Sequence, residues 1–509
     1  MTATTIDAPP RTRRFNAARR VQALYLLLGF AAGLPFYMFN AVLTLRLARH
    51  GIDIAIIGFF AWVALLPTFK FLWAPLLERY AVPGFTRFWG RQRGWIMMAQ
   101  LGIFTAMVGM AFTSDDTSLP LTALFAVTLA FWTTTLEIAA DGWRIELAPT
   151  QAEQGPLVAA NLWGYRSAMV AAGSGAALIA ARADWMWAYL AIAAAAFLPF
   201  PILAAMRPAP GATIGRARAL GVGISASVVI AAVVTILTAA LGWLALAGAR
   251  AAGIGAGSNV TPVVLAVCML PFIALALALP RILRMPADAP LRRSPTIGPY
   301  VDVFWRYGYA VLAVLAFVSL YRVGDVLALT LSHPMWDARG YSLDAIGIAD
   351  GAVALPASML GVALGGWMAA KWRLGPALAT GAVIAAFGNW IYVWLWWTPP
   401  EGWVLYVSVA LDQFGNGLAG TVFVVYLSML VNPRYPAAQY AFLSGFAFLL
   451  ARLLAGASGT MQKSIGYDGF FVLAGAVTLA AVILIPFVSR VAARPPDERL
   501  TTPGTVFGA

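Results

Sequence analysis

Residues 304–332 read FWRYGYAVLAVLAFVSLYRVGDVLALTLS. About 20 apolar residues carry a helix across the hydrocarbon core of a bilayer, and this stretch exceeds that length. Yet Arg322 and Asp325 sit inside it. A charge at mid-bilayer is costly, so such residues face a cavity or a partner and mark function by default. Three positions apart on a helix, these two share a face and can pair. Counted from Phe304 at 1.5 Å per residue, Arg322 lies about 27 Å along the span, toward its far mouth. The pair either locks helices together or serves specificity or switching, because buried ion pairs rarely add stability over apolar packing.

The rest of the chain repeats this pattern. Of 509 residues, 61% are hydrophobic and 11% charged, too little charge for a soluble globular protein. Apolar runs fall at roughly 21–47, 54–80, 95–113, 119–143, 155–181, 185–206, 219–249, 261–281, 304–332, 343–370, 374–398, 402–431, 436–462 and 467–489. These predict an all-α polytopic membrane protein with about fourteen spans, both termini on one side. The N-terminus and the even-numbered loops hold most of the Lys and Arg, among them Arg11, Arg13, Arg14, Arg79, Arg87, Arg91, Arg93, Arg292, Arg293, Lys371, Arg373 and Arg434. The positive-inside rule makes that side cytoplasmic. The net charge of +13 then reflects topology and anionic-lipid contact, not nucleic-acid binding. Cys268 is alone, so no internal disulfide forms. Span one is too long for a signal-peptide core and reads as an uncleaved helix.

Sorted by span, the embedded charges are Lys70, Glu137, Arg166, Arg322, Asp325, Asp350, Asp412 and Arg452. The third, sixth, seventh, eighth, eleventh and fourteenth spans carry none between their ends. Charge-free spans can face lipid, whereas charged ones face a cavity or each other. With the seventh and eighth spans set aside as an inserted pair, two blocks of six remain, each with charge-free third and sixth members. That is how the major facilitator fold is organised. The expected divisions are a basic arm 1–20, an N-terminal half 21–206, a linker with two extra helices 207–303, a C-terminal half 304–489 and a tail 490–509. After the second span of each half comes a basic loop, with Glu78, Arg79, Arg91 and Arg93 in the first and Lys371 and Arg373 in the second. These are candidate cytoplasmic gate residues; mere obedience to the positive-inside rule is the bland alternative.

Pro35 in span one predicts a kink or freed carbonyls at mid-membrane. The 19 Trp mostly form an interfacial belt, although Trp163 has a place to stack on a sugar ring. GIGAGSN at 253–259 lacks the ending a phosphate loop needs. A membrane enzyme would need a nucleophile or metal cluster, and the two histidines, His50 and His333, stand far apart. No enzyme activity, cofactor or metal is expected.

The chain resembles the AmpG-type muropeptide permeases, a branch of the major facilitator superfamily related to acetyl-CoA transporters. The resemblance covers nearly the whole chain. It rests on GFAAGLPFYMFN, IGFFAWVALLPTFKFLWAPLLERY with GRQRGW, TTTLEIAADGWRIEL, NLWGYRSAM, YRVGDVLALTLSHPMW, DQFGNGLAGTVFVVYLSML and NPRYPAAQYAFLSG. It implies proton-driven import of anhydromuropeptides across the bacterial inner membrane, by alternating access of two halves, with protons, lipids and a small anionic muropeptide as partners. Arg322, Arg166, Lys70 and Arg452, with Asn40 and Trp163, are then the substrate-binding candidates, and Glu137, Asp325, Asp141 and Asp412 the proton-coupling candidates. Leu136-Glu137 stands where the family has Gln-Asp, and Asp412 where it commonly has Glu. FYMFNAV in span one is bulkier and less polar than a sugar surface usually is. Two alternatives follow: a paralogue moving another anionic solute (a peptide, a siderophore-like molecule or a nucleotide conjugate), or a membrane sensor that does not transport.

Overall fold

The computed structural model describes residues 11–51, 62–113, 119–251, 273, 277–286, 289–456 and 458–492. Its first half contains α1 (Arg11–Tyr37), a π turn (Met38–Val42), α2 (Leu43–Arg49), a 3-10 helix (Trp62–Leu72), α3 (Ala74–Arg79) and α4 (Phe85–Trp89). Then follow α5 (Arg91–Ala111), α6 (Leu119–Leu147), α7 (Gln151–Arg182), α8 (Trp185–Ala196) and α9 (Pro199–Ala205). α10 (Arg216–Ala251) precedes the second half. That half contains α11 (Pro290–Arg293), α12 (Gly298–Tyr307), α13 (Ala310–Ala338), α14 (Leu343–Ile348), a second π turn (Ala349–Val353) and α15 (Ala354–Lys371). It closes with α16 (Leu374–Trp397), α17 (Gly402–Leu430), α18 (Pro436–Gly456) and α19 (Ser458–Ala492).

Ten described stretches are long and apolar enough to span a membrane, against about fourteen expected runs. Only part of the shortfall has physical causes. α7 and α18 are long enough, at 32 and 21 residues, and both carry cavity residues; α7 is also among the less apolar helices. The second run is described from Trp62 on, as a 3-10 helix with Pro67 inside it followed by the short α3. The eighth run, 261–281, lies almost wholly outside the described residues, as do the 253–259 loop and Cys268. The ninth run is broken. Gly308 takes φ 57, ending α12 and letting α13 start afresh at Ala310. Arg322 is therefore about 18 Å into a helix of about 43 Å, near its middle and not toward its far mouth.

Each half buries its own apolar core. In the first, α1 packs on α7 and α5 on α6 and α8. In the second, α15 packs on α17, α16 on α17 and α19, and α13 on α18 and α19. Glycine permits the tightest crossings: a Cβ on Gly164 would overlap Leu26 O, and one on Gly361 would overlap Phe414 O. α7 starts from a complete capping box, in which Thr150 and Glu153 satisfy each other's backbone N–H groups. α10 leaves Val228, Val229, Ile236, Leu237, Leu241 and Trp243 exposed, as a helix facing lipid does. Arg79, Arg87, Arg91, Arg93, Lys371, Arg373 and Arg434 fall on loops and helix ends at one end of the bundle, the basic end. The halves meet through α15 with α7, and through α18 with α6 and the 3-10 helix.

Candidate functional site

Hydrogen bonds between the halves seal the basic end. Pro436 begins α18, and the next N–H groups have no partner inside the helix. Glu78 Oε1, from the other half, accepts those of Ala437 (2.9 Å) and Ala438 (3.1 Å). Glu78 lies outside the spanning helices, on α3. Burial pushes its carboxyl up to about 7, against the pull of the two backbone hydrogen bonds and of Arg91. Arg91 donates to Glu78 O (2.9 Å) and stands 3.8 Å from Glu146. Arg144, fully buried, bonds to Gln154, to Ser428 of the opposite half (2.9 Å) and to Asp141 (3.0 Å), with the Tyr440 ring 5.3 Å away. Gln151 Nε2 donates to Ala369 O (2.7 Å) and Trp372 O (2.9 Å). Beside it the two main chains touch, for a Cβ on Gly155 would overlap Gly366 O.

Deeper in, charges from both halves gather. Lys70 Nζ, on the 3-10 helix, stands 4.0 Å from Glu137 Oε2 on α6. Their side chains keep 11% and 22% of their surface accessible, so the space they face is a cleft and not dry packing. Arg452 on α18 donates to Thr68 Oγ1 at 2.5 Å, joining the halves at this level. Arg322 and Asp325 form the expected pair at 2.7 Å. Arg166 on α7 lies within electrostatic range of Tyr37, Arg322, Tyr165 and Asp412. Among the described residues no hydrogen bond or ion pair holds it. Asp412 accepts from Tyr392 (3.1 Å) and Gln413 (2.9 Å). Asn40 is half-buried in the π turn just after Pro35. Rings of Phe36, Tyr37, Phe39 and Tyr165 line the wall next to it, neighbours lying between 5.3 and 6.1 Å apart.

Several expected residues lie elsewhere than the sequence placed them. Asp141, read as a proton carrier, is held by Arg144 in the seal. Trp163 Nε1 donates to Met359 O at 2.9 Å, so it joins the halves and its ring edge is committed. Of the six gate candidates, Glu78 and Arg91 come together. Arg93 caps Arg207 O, Arg79 lies over the Tyr80 ring, and Lys371 and Arg373 are exposed. Asp350 pairs not with a cavity cation but with His333, at 2.7 Å. The sequence reading missed Arg144, Gln151, Gln154 and Ser428. Arg144 had a signal: it follows Asp141 by three, the same spacing that revealed Arg322 and Asp325.

No protein-family model matches the chain. Over 91% of its length it is 26% identical to the anhydromuropeptide permease of Escherichia coli, 78% of which is covered. It is 24% identical to the putative transporter AmpG 4 of Rickettsia felis, with 91% of this chain and 95% of that one covered. In three dimensions it is similar to the major facilitator proton:xylose symporter XylE bound to 6-bromo-6-deoxy-D-glucose, with a TM-score of 0.56, 15% identity, and 93% and 95% of the two chains covered. At that identity the likeness establishes the major facilitator fold alone.

Proposed function

We propose, from the premise that this chain is a membrane transporter of the major facilitator type similar to the AmpG permeases, that it imports anhydromuropeptides with protons. The observation that carries this reading is Arg166. It is a cation inside the cleft, within electrostatic range of a second cation, Arg322, with no contacting anion of its own among the described residues. Holding a guanidinium there unpaired is costly, and a substrate carboxylate completes the site. Arg322 already holds Asp325, so it can exchange that partner for a second carboxylate. A muropeptide carries both acidic peptide and sugar, and the tyrosines at 37 and 165 supply aromatic faces with hydroxyl tips.

In this reading the basic end is cytoplasmic, in the inner membrane, and its seal leaves the cleft open toward the periplasm. Glu137 receives a proton, which loosens its 4.0 Å contact with Lys70. The halves then rock about the cleft: the outer side closes and the seal of Glu78, Arg144 and Gln151 parts. The test is uptake of labelled anhydromuropeptide into proteoliposomes, with and without an inward proton gradient. Gradient-driven uptake that Arg166→Ala reduces by raising KM supports the proposal. No uptake by folded, inserted protein overturns it.

The bulky wall of Phe36, Tyr37 and Phe39 favours a second reading, in which a related carrier accepts a different anionic solute. Competition by anionic peptides without sugar, in the same vesicles, separates the two.

A further inference from the structure

One histidine–carboxylate pair stands apart from the seal and from the Lys70–Glu137 contact. His333 Nε2 and Asp350 Oδ2 are 2.7 Å apart, with side chains 49% and 40% exposed. His333 is on α13 and Asp350 is in the π turn Ala349–Val353. A π turn inserts an extra residue into a helix and re-aims its side chains, and such turns recur at functional sites. Trp336 bridges inward, 4.6 Å from the His333 ring and 6.2 Å from the Tyr392 ring. Asp350 is within electrostatic range of Tyr392, whose hydroxyl donates to Asp412 Oδ2 at 3.1 Å. Asp412 is in turn within range of Asp325 and Arg166.

Depth orders these groups. Measured along its helix from the end opposite the basic end, His333 lies about 8 Å in and Asp350 about 10 Å. Asp412 lies about 15 Å in and Asp325 about 20 Å, with the Tyr392 hydroxyl bonded to Asp412. Titratable groups graded from an exposed mouth to a buried acid are what a proton route across a membrane protein consists of. A mere staple between α13 and the π turn would not need the inner members.

We propose that His333 and Asp350 are the outer intake of a proton path that runs through the Tyr392 hydroxyl to Asp412. This rests on the proton-coupled reading above. A hydronium ion at the mouth gives its proton to His333, which becomes imidazolium, and water is left. The proton on Nε2 passes to Asp350 Oδ2, which restores a neutral imidazole. Asp350 gives the proton up inward, to the Tyr392 oxygen, as that hydroxyl releases its own proton to Asp412. The net change is one proton taken from outside and one carboxylate, Asp412, made neutral. Asp412 then no longer competes with a substrate anion for Arg166. Proton and substrate therefore raise each other's affinity, as linkage requires.

Other charged groups surround this end. Asp337 and Asp344 are exposed, Arg339 donates to Thr398 O, and Glu401 accepts from Trp403. On the helices packed against α13, Arg452 is held by Thr68, and Lys463 and Asp468 lie on α19.

The test uses full-length protein with His333→Gln, Asp350→Asn and Tyr392→Phe. Net uptake driven by a proton gradient is measured over roughly pH 5 to 8 outside, and gradient-free exchange is measured in preloaded vesicles. In the wild type, net uptake rises as the outer pH falls across that range. In each variant it drops about tenfold and loses that dependence, while exchange keeps its wild-type rate. Proton uptake by the purified protein after a pH jump, followed with a soluble dye, reads the path without any substrate and slows in all three variants. Wild-type protein that takes up protons through this path but moves no muropeptide would sink the substrate reading and leave the path intact. Variants with wild-type proton rates, or with exchange lost in step with net uptake, would overturn the path and leave a structural staple.

Discussion

Glu78 allows the sign of a pH response to be worked out. In the sealed structure burial holds its carboxyl near 7, against 4.5 in water. Parting the seal returns Glu78 to solvent and to the lower value. The closed end therefore binds the proton more tightly than the open one. Closure is favoured most below about 4.5, and that advantage is lost as pH rises through about 7. The difference corresponds to at most about 3 kcal/mol, a shift of about two orders of magnitude in the closed-to-open ratio. Glu78→Gln mimics the protonated acid and keeps an oxygen for Ala437 and Ala438, so it holds the end closed at every pH. Glu78→Ala leaves those two N–H groups unpaired and costs closure about 1–2 kcal/mol. Spin labels at Arg87→Cys and Arg434→Cys, with Cys268→Ala, report the distance across this end. The wild-type distribution should shift to short distances between about pH 8 and about pH 5, with Gln short and Ala long at both. If Glu78→Gln opens the end as Ala does, or if the wild type closes as pH rises, attraction of the charged carboxylate to the α18 N-terminus outweighs desolvation and the reasoning fails.

Three further outcomes follow. Arg144→Ala strands Asp141 without its cation and takes from Gln154 and Ser428 the bond each accepts from it, although both keep a bond to a backbone carbonyl, so the loss is about 3–5 kcal/mol, visible as a lowered melting temperature; Arg144→Met costs less if Asp141 is neutralised with it. Gly361→Ala pushes α15 off α17 and destabilises the protein by about 1–3 kcal/mol by the same measurement. Thr150→Ala breaks the α7 capping box and removes about 1 kcal/mol, read as faster amide exchange in the first turn of α7.

Local signals were legible and cross-helix ones were not. Arg322 and Asp325 pair because helical geometry alone brings residues three apart together, so the sequence suffices. Lys70 and Glu137 were recognised as embedded charges, but their meeting depends on how two helices pack, which no spacing encodes. The pairing of Asp141 with Arg144 went unread although the spacing is the same, because Arg144 stands near the end of its apolar run, whereas it is a buried bond-maker within α6. The depth of Arg322 was overestimated because a continuous apolar run conceals a glycine that reverses φ at Gly308. Pro35 is followed by the π turn Met38–Val42, so the span that carries it is locally irregular, as expected, and Asn40 falls inside the irregular stretch.

The bare contact of Gly155 with Gly366 has its own consequence. Dispersion between two main chains fades within the first ångström of separation, the methyls of Ala159 and Ala370 beside it are too short to follow, and the Gln151 and Trp163 hydrogen bonds across the same seam fail over a similar distance. Intermediate spacings gain nothing there. That edge of the molecule therefore behaves as a snap fastener, fully shut or fully apart, and a methyl group added to either glycine would keep it from shutting.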